Sequence, residues 1–126
     1  MQFLKEFINN CVFVAVLKMT VINLTSENFG KEVVESELPV IIDFYADWCG
    51  PCQMLKPIFK NLSEVYDGKL KFARIDTQAE EYLSVQFQIS GIPALVVVKD
   101  KREIGRIVGY RDEDSLKSEI DKILER

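Results

Sequence analysis

The 126-residue chain contains no histidine. That absence excludes a histidine-based catalytic triad, a histidine-ligated metal site and an imidazole pH switch. Proton transfer near neutral pH must then use a displaced carboxylate, a thiol or water. Cysteine is scarce as well: three residues are too few for a disulfide scaffold, and a chain of this length can fold on its core alone. Basic charge is not in excess. Sixteen Lys and Arg against twenty Asp and Glu leave a net charge of −4, which argues against a nucleic-acid partner. The solid apolar run Val12 to Leu17 is far shorter than the roughly twenty residues of a membrane-crossing helix. What remains is 48% hydrophobic and 29% charged, the composition of one packed domain.

Residues 1–18 stand apart from the rest. Phe3, Leu4, Phe7, Ile8, Cys11 and Val12 recur at helical spacing. Lys5 is offset by Glu6, and Val16-Leu17-Lys18 is not the small-residue cleavage site of a secretory signal. The plain expectation is an extra amphipathic helix or a frayed leader. Export or docking at a membrane surface is the competing one, and a start at Met19 is a third. The domain itself is expected to run over residues 19–126.

From Met19 on, strand and helix patterns alternate. Val21 to Leu24 reads as a strand, and Thr25 or Ser26 offers an N-cap before Phe29, Val33 and Val34. Val40 to Ala46 is apolar on both faces, as a central strand covered by helices should be. Leu55, Ile58, Phe59, Leu62 and Val65 mark a helix face, Leu70 to Ile75 a strand, and Ala79, Leu83 and Phe87 another helix face. Ala94 to Val98 and Ile104 to Val108 read as strands joined by the charged turn Lys99 to Glu103. That turn is too short for a crossover helix, so the pair should be antiparallel. Leu116, Ile120, Ile123 and Leu124 stripe a last helix. The order βαβαβαββα predicts an α/β fold with one mixed sheet and helices on both faces.

Trp48-Cys49-Gly50-Pro51-Cys52 follows the central strand and opens the second helix. A sulfur at a helix N-terminus meets unpaired N–H groups and the positive end of the macrodipole, which favour its thiolate. Two intervening residues at a helix start bring Cys52 within reach of Cys49. Pro51 suits a first turn, where its missing N–H is not needed. Gly50 leaves room for a partner's backbone, and Trp48 is better explained as a contact surface than as core. A zinc site needs about four ligands, and one C-x-x-C without histidine leaves two missing. An inert structural disulfide would close almost no loop entropy. A redox dithiol explains the pattern best.

Asp43 interrupts the apolar central strand, where a carboxylate is costly to bury. It is either paired, with Arg74 or a nearby lysine, or a carboxyl with raised pKa that exchanges a proton with Cys52. Asp47 is expected to be exposed. Gly91-Ile92-Pro93 precedes the fourth strand, and local rules make its Ile-Pro bond trans by default.

Taken together, Asp43-Phe44-Tyr45-Ala46 leading into Trp48-Cys49-Gly50-Pro51-Cys52, Pro57 in the next helix, Gly91-Ile92-Pro93 and Gly109 resemble the thioredoxin family from about Met19 to Arg126. The resemblance implies a three-layer α/β/α fold with a central mixed sheet. It makes Cys49 the exposed nucleophile, Cys52 the buried resolving thiol and Asp43 the buried acid that assists it. Pro93 takes the place of a cis-proline facing the disulfide. Trp48, Gly50, Pro51, Ile92, Pro93 and Gly109 surround the sulfur as the client-binding surface, where the backbone at Ile92 would pair with an extended client strand. The implied activity is reduction of disulfides in client proteins, with a flavin-dependent thioredoxin reductase as electron donor. No cofactor or metal is expected in the chain, which would act as a cytoplasmic monomer without nucleic-acid or membrane partners. Gly-Pro between the cysteines resembles the reducing members; oxidases and isomerases of this fold typically carry histidine there.

Departures from the family pattern are Arg74 where a buried lysine is common, Gln53 after the second cysteine, Ala94 after the proline, and Lys101 and Arg102 in a hairpin that often holds glycine. Cys11 lies outside the motif and is expected to be incidental. Two other readings compete: an exported or membrane-tethered electron donor to specific clients, and a structural subunit that uses the fold as a clamp on a partner.

Overall fold

The apolar character of both faces of Val40–Tyr45 has its explanation in a computed structural model, which describes residues 20–126. This segment is β2, the middle strand of a five-stranded sheet ordered β1-β3-β2-β4-β5. The other strands are β1 (Val21–Asn23), β3 (Lys71–Asp76), β4 (Ala94–Lys99) and β5 (Arg102–Val108). β1, β3 and β2 run parallel, β4 runs antiparallel to β2, and β5 pairs antiparallel with β4. The helices are α1 (Gly30–Val34), α2 (Gly50–Val65), α3 (Glu81–Gln86) and α4 (Glu113–Leu124). The observed element order is the one the sequence pattern predicts.

Successive residues of a strand face opposite sides, and here the two sides belong to different helix pairs. Ile41, Phe72, Leu95 and Val97 pack beneath α2 and α4, against Leu55, Phe59, Leu62, Leu116 and Ile120. Val40, Ile42, Phe44, Ile75 and Val96 face α1 and α3, against Val33 and Leu83, with Phe29 and Phe87 alongside. Full burial of side chains of this size contributes about 1.5–3 kcal/mol each. By the same alternation Asp43, two residues after Ile41, lies on the side covered by α2.

Some details differ from the pattern. Val65 is 55% exposed, because the buried stripe of α2 continues from Leu62 to Tyr66, four residues on, and turns Val65 away from the sheet. Ala79 lies in the turn before α3 and not on its face. α1 is wound wide, with the Glu35 N–H donating to the Gly30 carbonyl, and it leaves Val34 partly exposed. The β4–β5 turn closes through Asp100 and Lys101, both in the left-handed region (φ 51° and 67°). Among the described residues no helix is long and apolar enough to cross a membrane. The segment of residues 1–18, with its helical spacing and Cys11, and Met19 lie outside the described residues.

Candidate active site

β2 ends at Tyr45, and a tight loop carries the chain to the start of α2. The Cys49 N–H donates to the Ala46 carbonyl at 3.1 Å and closes that loop. Cys49 is extended (φ −86°, ψ 111°), the conformation of an N-cap, and its Sγ accepts the backbone N–H of Cys52 at 3.2 Å. The Gln53 N–H donates to the Cys49 carbonyl at 3.1 Å, the first full turn of the helix. Pro51 sits in that first turn, where a missing donor costs nothing. Cys49 and Cys52 are joined by a disulfide, with their Cα atoms 5.2 Å apart.

The two cysteine residues differ less in exposure than the family pattern implies. Cys52 is fully buried and Cys49 retains only 4% of its surface. Both belong to a small apolar cluster with Ala46, against which Tyr45 and Ile92 pack. These neighbours account for the closed setting of Cys49. Trp48, immediately before it, is 70% exposed and free to act as a contact surface. Gly50 is exposed and a Cβ there would meet nothing within 4 Å. Gln53 ties the loop from its other side, its Nε2 donating to the Asp47 carbonyl at 3.1 Å; Asp47 itself is exposed.

Across from the disulfide, the Ile92–Pro93 bond is cis, as the family resemblance and not the local rule indicates. The Ile92 carbonyl oxygen lies 4.0 Å from Cys49 Sγ. Gly109, just beyond β5, donates its N–H to the Pro93 carbonyl at 2.8 Å with φ at 96°, a backbone that suits glycine. Cys49, Cys52, Ile92, Pro93 and Gly109 are thus drawn together from α2, the segment before β4 and the end of β5.

Asp43 is fully buried, paired with Arg74 and at the same time raised in pKa. Arg74 on β3, its register partner, donates from Nε to Asp43 Oδ2 at 3.2 Å. Desolvation nevertheless outweighs the guanidinium and pushes the Asp43 carboxyl up to about 6. Among the described residues, Oδ1 of Asp43 and Nη2 of Arg74 have no hydrogen-bond partner. The Arg74 guanidinium carbon stands 3.7 Å from the centre of the Tyr45 ring. Sequence reasoning named Arg74 but missed Tyr45, although residues two apart in a strand share a face and Asp43 was already singled out. Among the described residues no cluster of three or more His, Cys, Asp or Glu side chains is arranged to hold a metal.

The chain has relatives among known proteins. A family profile described as Thioredoxin matches residues 20–122. The chain is similar to Thioredoxin C-2 of Corynebacterium nephridii, 37% identical over 106 residues that cover 84% of this chain and 98% of that protein. It is 35% identical over 101 residues to the thioredoxin of Synechocystis sp., covering 80% and 94% of the two chains. With the thioredoxin of Rickettsia felis it shares 36% identity over 100 residues, 79% of this chain and 95% of that one.

Proposed function

This chain belongs to the thioredoxin family, and on that premise we propose how its residues divide the work of disulfide reduction. The protein is a thiol–disulfide oxidoreductase, a protein-disulfide reductase whose substrates are disulfide-bearing client proteins. Cys49 is the nucleophile. Its thiolate attacks one sulfur of a client disulfide, a Cys49–client bond forms, and the client's other sulfur leaves as a thiolate that takes a proton from water. Cys52 then gives its proton to Asp43, and its thiolate attacks Cys49 Sγ. The second client sulfur departs as a thiolate that takes a proton from water, and the two electrons have passed from the cysteine pair to the client. The Cys49–Cys52 disulfide remains to be reduced again.

The observation that carries this assignment is the N–H of Cys52 aimed at Cys49 Sγ at the start of α2. A donor held there stabilises negative charge on that sulfur, and the helix macrodipole adds to it. Trp48, Gly50, Pro51, Ile92, Pro93 and Gly109 form the surface on which the client lies, with Ile92 offering its backbone to an extended client segment. Electrons return from a flavin-dependent thioredoxin reductase, and the protein works in the cytoplasm as a monomer. The functional unit is residues 19–126, and residues 1–18 are an N-terminal extension.

Insulin reduction tests the reading. With dithiothreitol as electron source, the reduced protein should hasten the precipitation of insulin B chains. Turbidity that develops no faster than with dithiothreitol alone would favour the clamp reading.

A further inference from the structure

Tyr45 touches two parts of the site that the proposed mechanism treats separately. Its ring lies under the Arg74 guanidinium, 3.7 Å from ring centre to guanidinium carbon, and its side packs on the Ala46, Cys49 and Cys52 cluster. Arg74 reaches the fully buried Asp43 through Nε alone and leaves Oδ1 without a partner among the described residues. A guanidinium is a planar fork that pairs readily with both oxygens of a carboxylate. Here it is laid against the ring and makes a single bond to the carboxylate. The ring also restrains Arg74, which retains some exposure, from swinging toward water.

We propose that Tyr45 is a positioning residue for disulfide reduction: by stacking on Arg74 it holds the guanidinium at Asp43 Oδ2 and so keeps the carboxylate ready to take the Cys52 proton. This rests on Asp43 being the proton acceptor. Of the charged and titratable groups around Asp43, β3 supplies Arg74 and β2 supplies Tyr45, while β4 presents the apolar Leu95 opposite Asp43. The proposed mechanism adds the thiol of Cys52, from α2, once the disulfide is reduced. Asp47 and Asp76 act on Tyr45, at the outer end of the stack.

Arg74 opposes the effect of burial on Asp43. A guanidinium held less firmly therefore leaves Asp43 protonated to higher pH, and the acid limb of the resolving step moves upward. The reduced protein is mixed with a small aromatic disulfide whose leaving thiol is coloured. The release of the second coloured thiol reports the attack by Cys52, and its rate is followed against pH.

The midpoint of the acid limb should rise by about one pH unit in Arg74→Gln, and in the same direction in Tyr45→Leu. Tyr45→Phe keeps the ring and should retain the wild-type midpoint. Carbon-13 NMR of the Asp43 carboxyl should give the same ranking, and thermal unfolding checks that each variant is folded. If Arg74→Gln does not fold, Tyr45→Leu decides the matter alone. A wild-type midpoint in folded Tyr45→Leu overturns the proposal. An unchanged limb in Asp43→Asn is a different failure: it overturns the proton-acceptor reading itself, and the proposal with it.

Discussion

The backbone N–H of Cys52 points at the sulfur of Cys49 across 3.2 Å, so the first cysteine caps the helix that carries the second. Each residue thereby serves the other. Cys49 satisfies an N–H that would otherwise lack a partner, and the helix start supplies the field that holds charge on Cys49. The asymmetry between the two cysteines lies in this hydrogen bond more than in their exposure, which differs by a few percent of each residue's surface.

Substitution should separate the two roles. Cys49→Ser is expected to abolish client reduction, because no thiolate remains at the capped position. Cys52→Ser should attack clients and then stall, so that mixed disulfides accumulate. Mass spectrometry of adducts captured from a defined disulfide-bearing protein distinguishes the cases. Equal adducts from both variants would contradict the assignment.

Burial of Asp43 also has a cost that depends on pH. Its folded pKa of about 6 lies above the ordinary 3.8. The folded state therefore binds the proton more tightly than the unfolded chain does. The stability that this contributes is complete below the unfolded value and is lost as pH rises through about 6. At about 1.4 kcal/mol per pH unit the loss is on the order of 3 kcal/mol by neutral pH. Asp43→Asn escapes it, so the variant should gain stability relative to wild type between acid and neutral buffer. Urea unfolding at the two pH values reads this directly, and the same difference at both would contradict it.

The contact between β5 and α4 leaves no space for a methyl group at residue 105. A Cβ on Gly105 would lie 2.7 Å from Cγ1 and Cγ2 of Ile123, which is itself buried. Gly105→Ala should destabilise the fold by about 1–3 kcal/mol through overpacking. Gly50→Ala meets nothing within 4 Å and serves as a comparison in the same urea titration.

The β4–β5 turn should respond in the opposite sense. Lys101 adopts φ 67°, a conformation that L-residues enter at a cost and glycine does not. Lys101→Gly should raise stability by about 1 kcal/mol, seen as a higher melting temperature with unchanged insulin reduction.

Much of this molecule was legible in the residues themselves. The doubly apolar run from Val40 requires helices on both faces, and the five charged residues from Lys99 to Glu103 are too few for a crossover. Both follow from local periodicity and chain reach, which a sequence carries openly. The cis bond before Pro93 was not legible locally; it came only with the resemblance. The Tyr45–Arg74 stack and the packing of Gly105 on Ile123 were hidden for another reason. Each joins residues far apart in the chain, and only the strand order and helix placement decide that they meet. Val65 was misjudged because a stripe of apolar residues does not say where the sheet beneath it ends.

The division of roles between Cys49 and Cys52 turns on which sulfur reacts. The reduced protein, treated briefly with iodoacetamide at neutral pH and digested for peptide mass mapping, should carry the label on Cys49 while Cys52 stays unmodified. Label on Cys52 with Cys49 left free would contradict it.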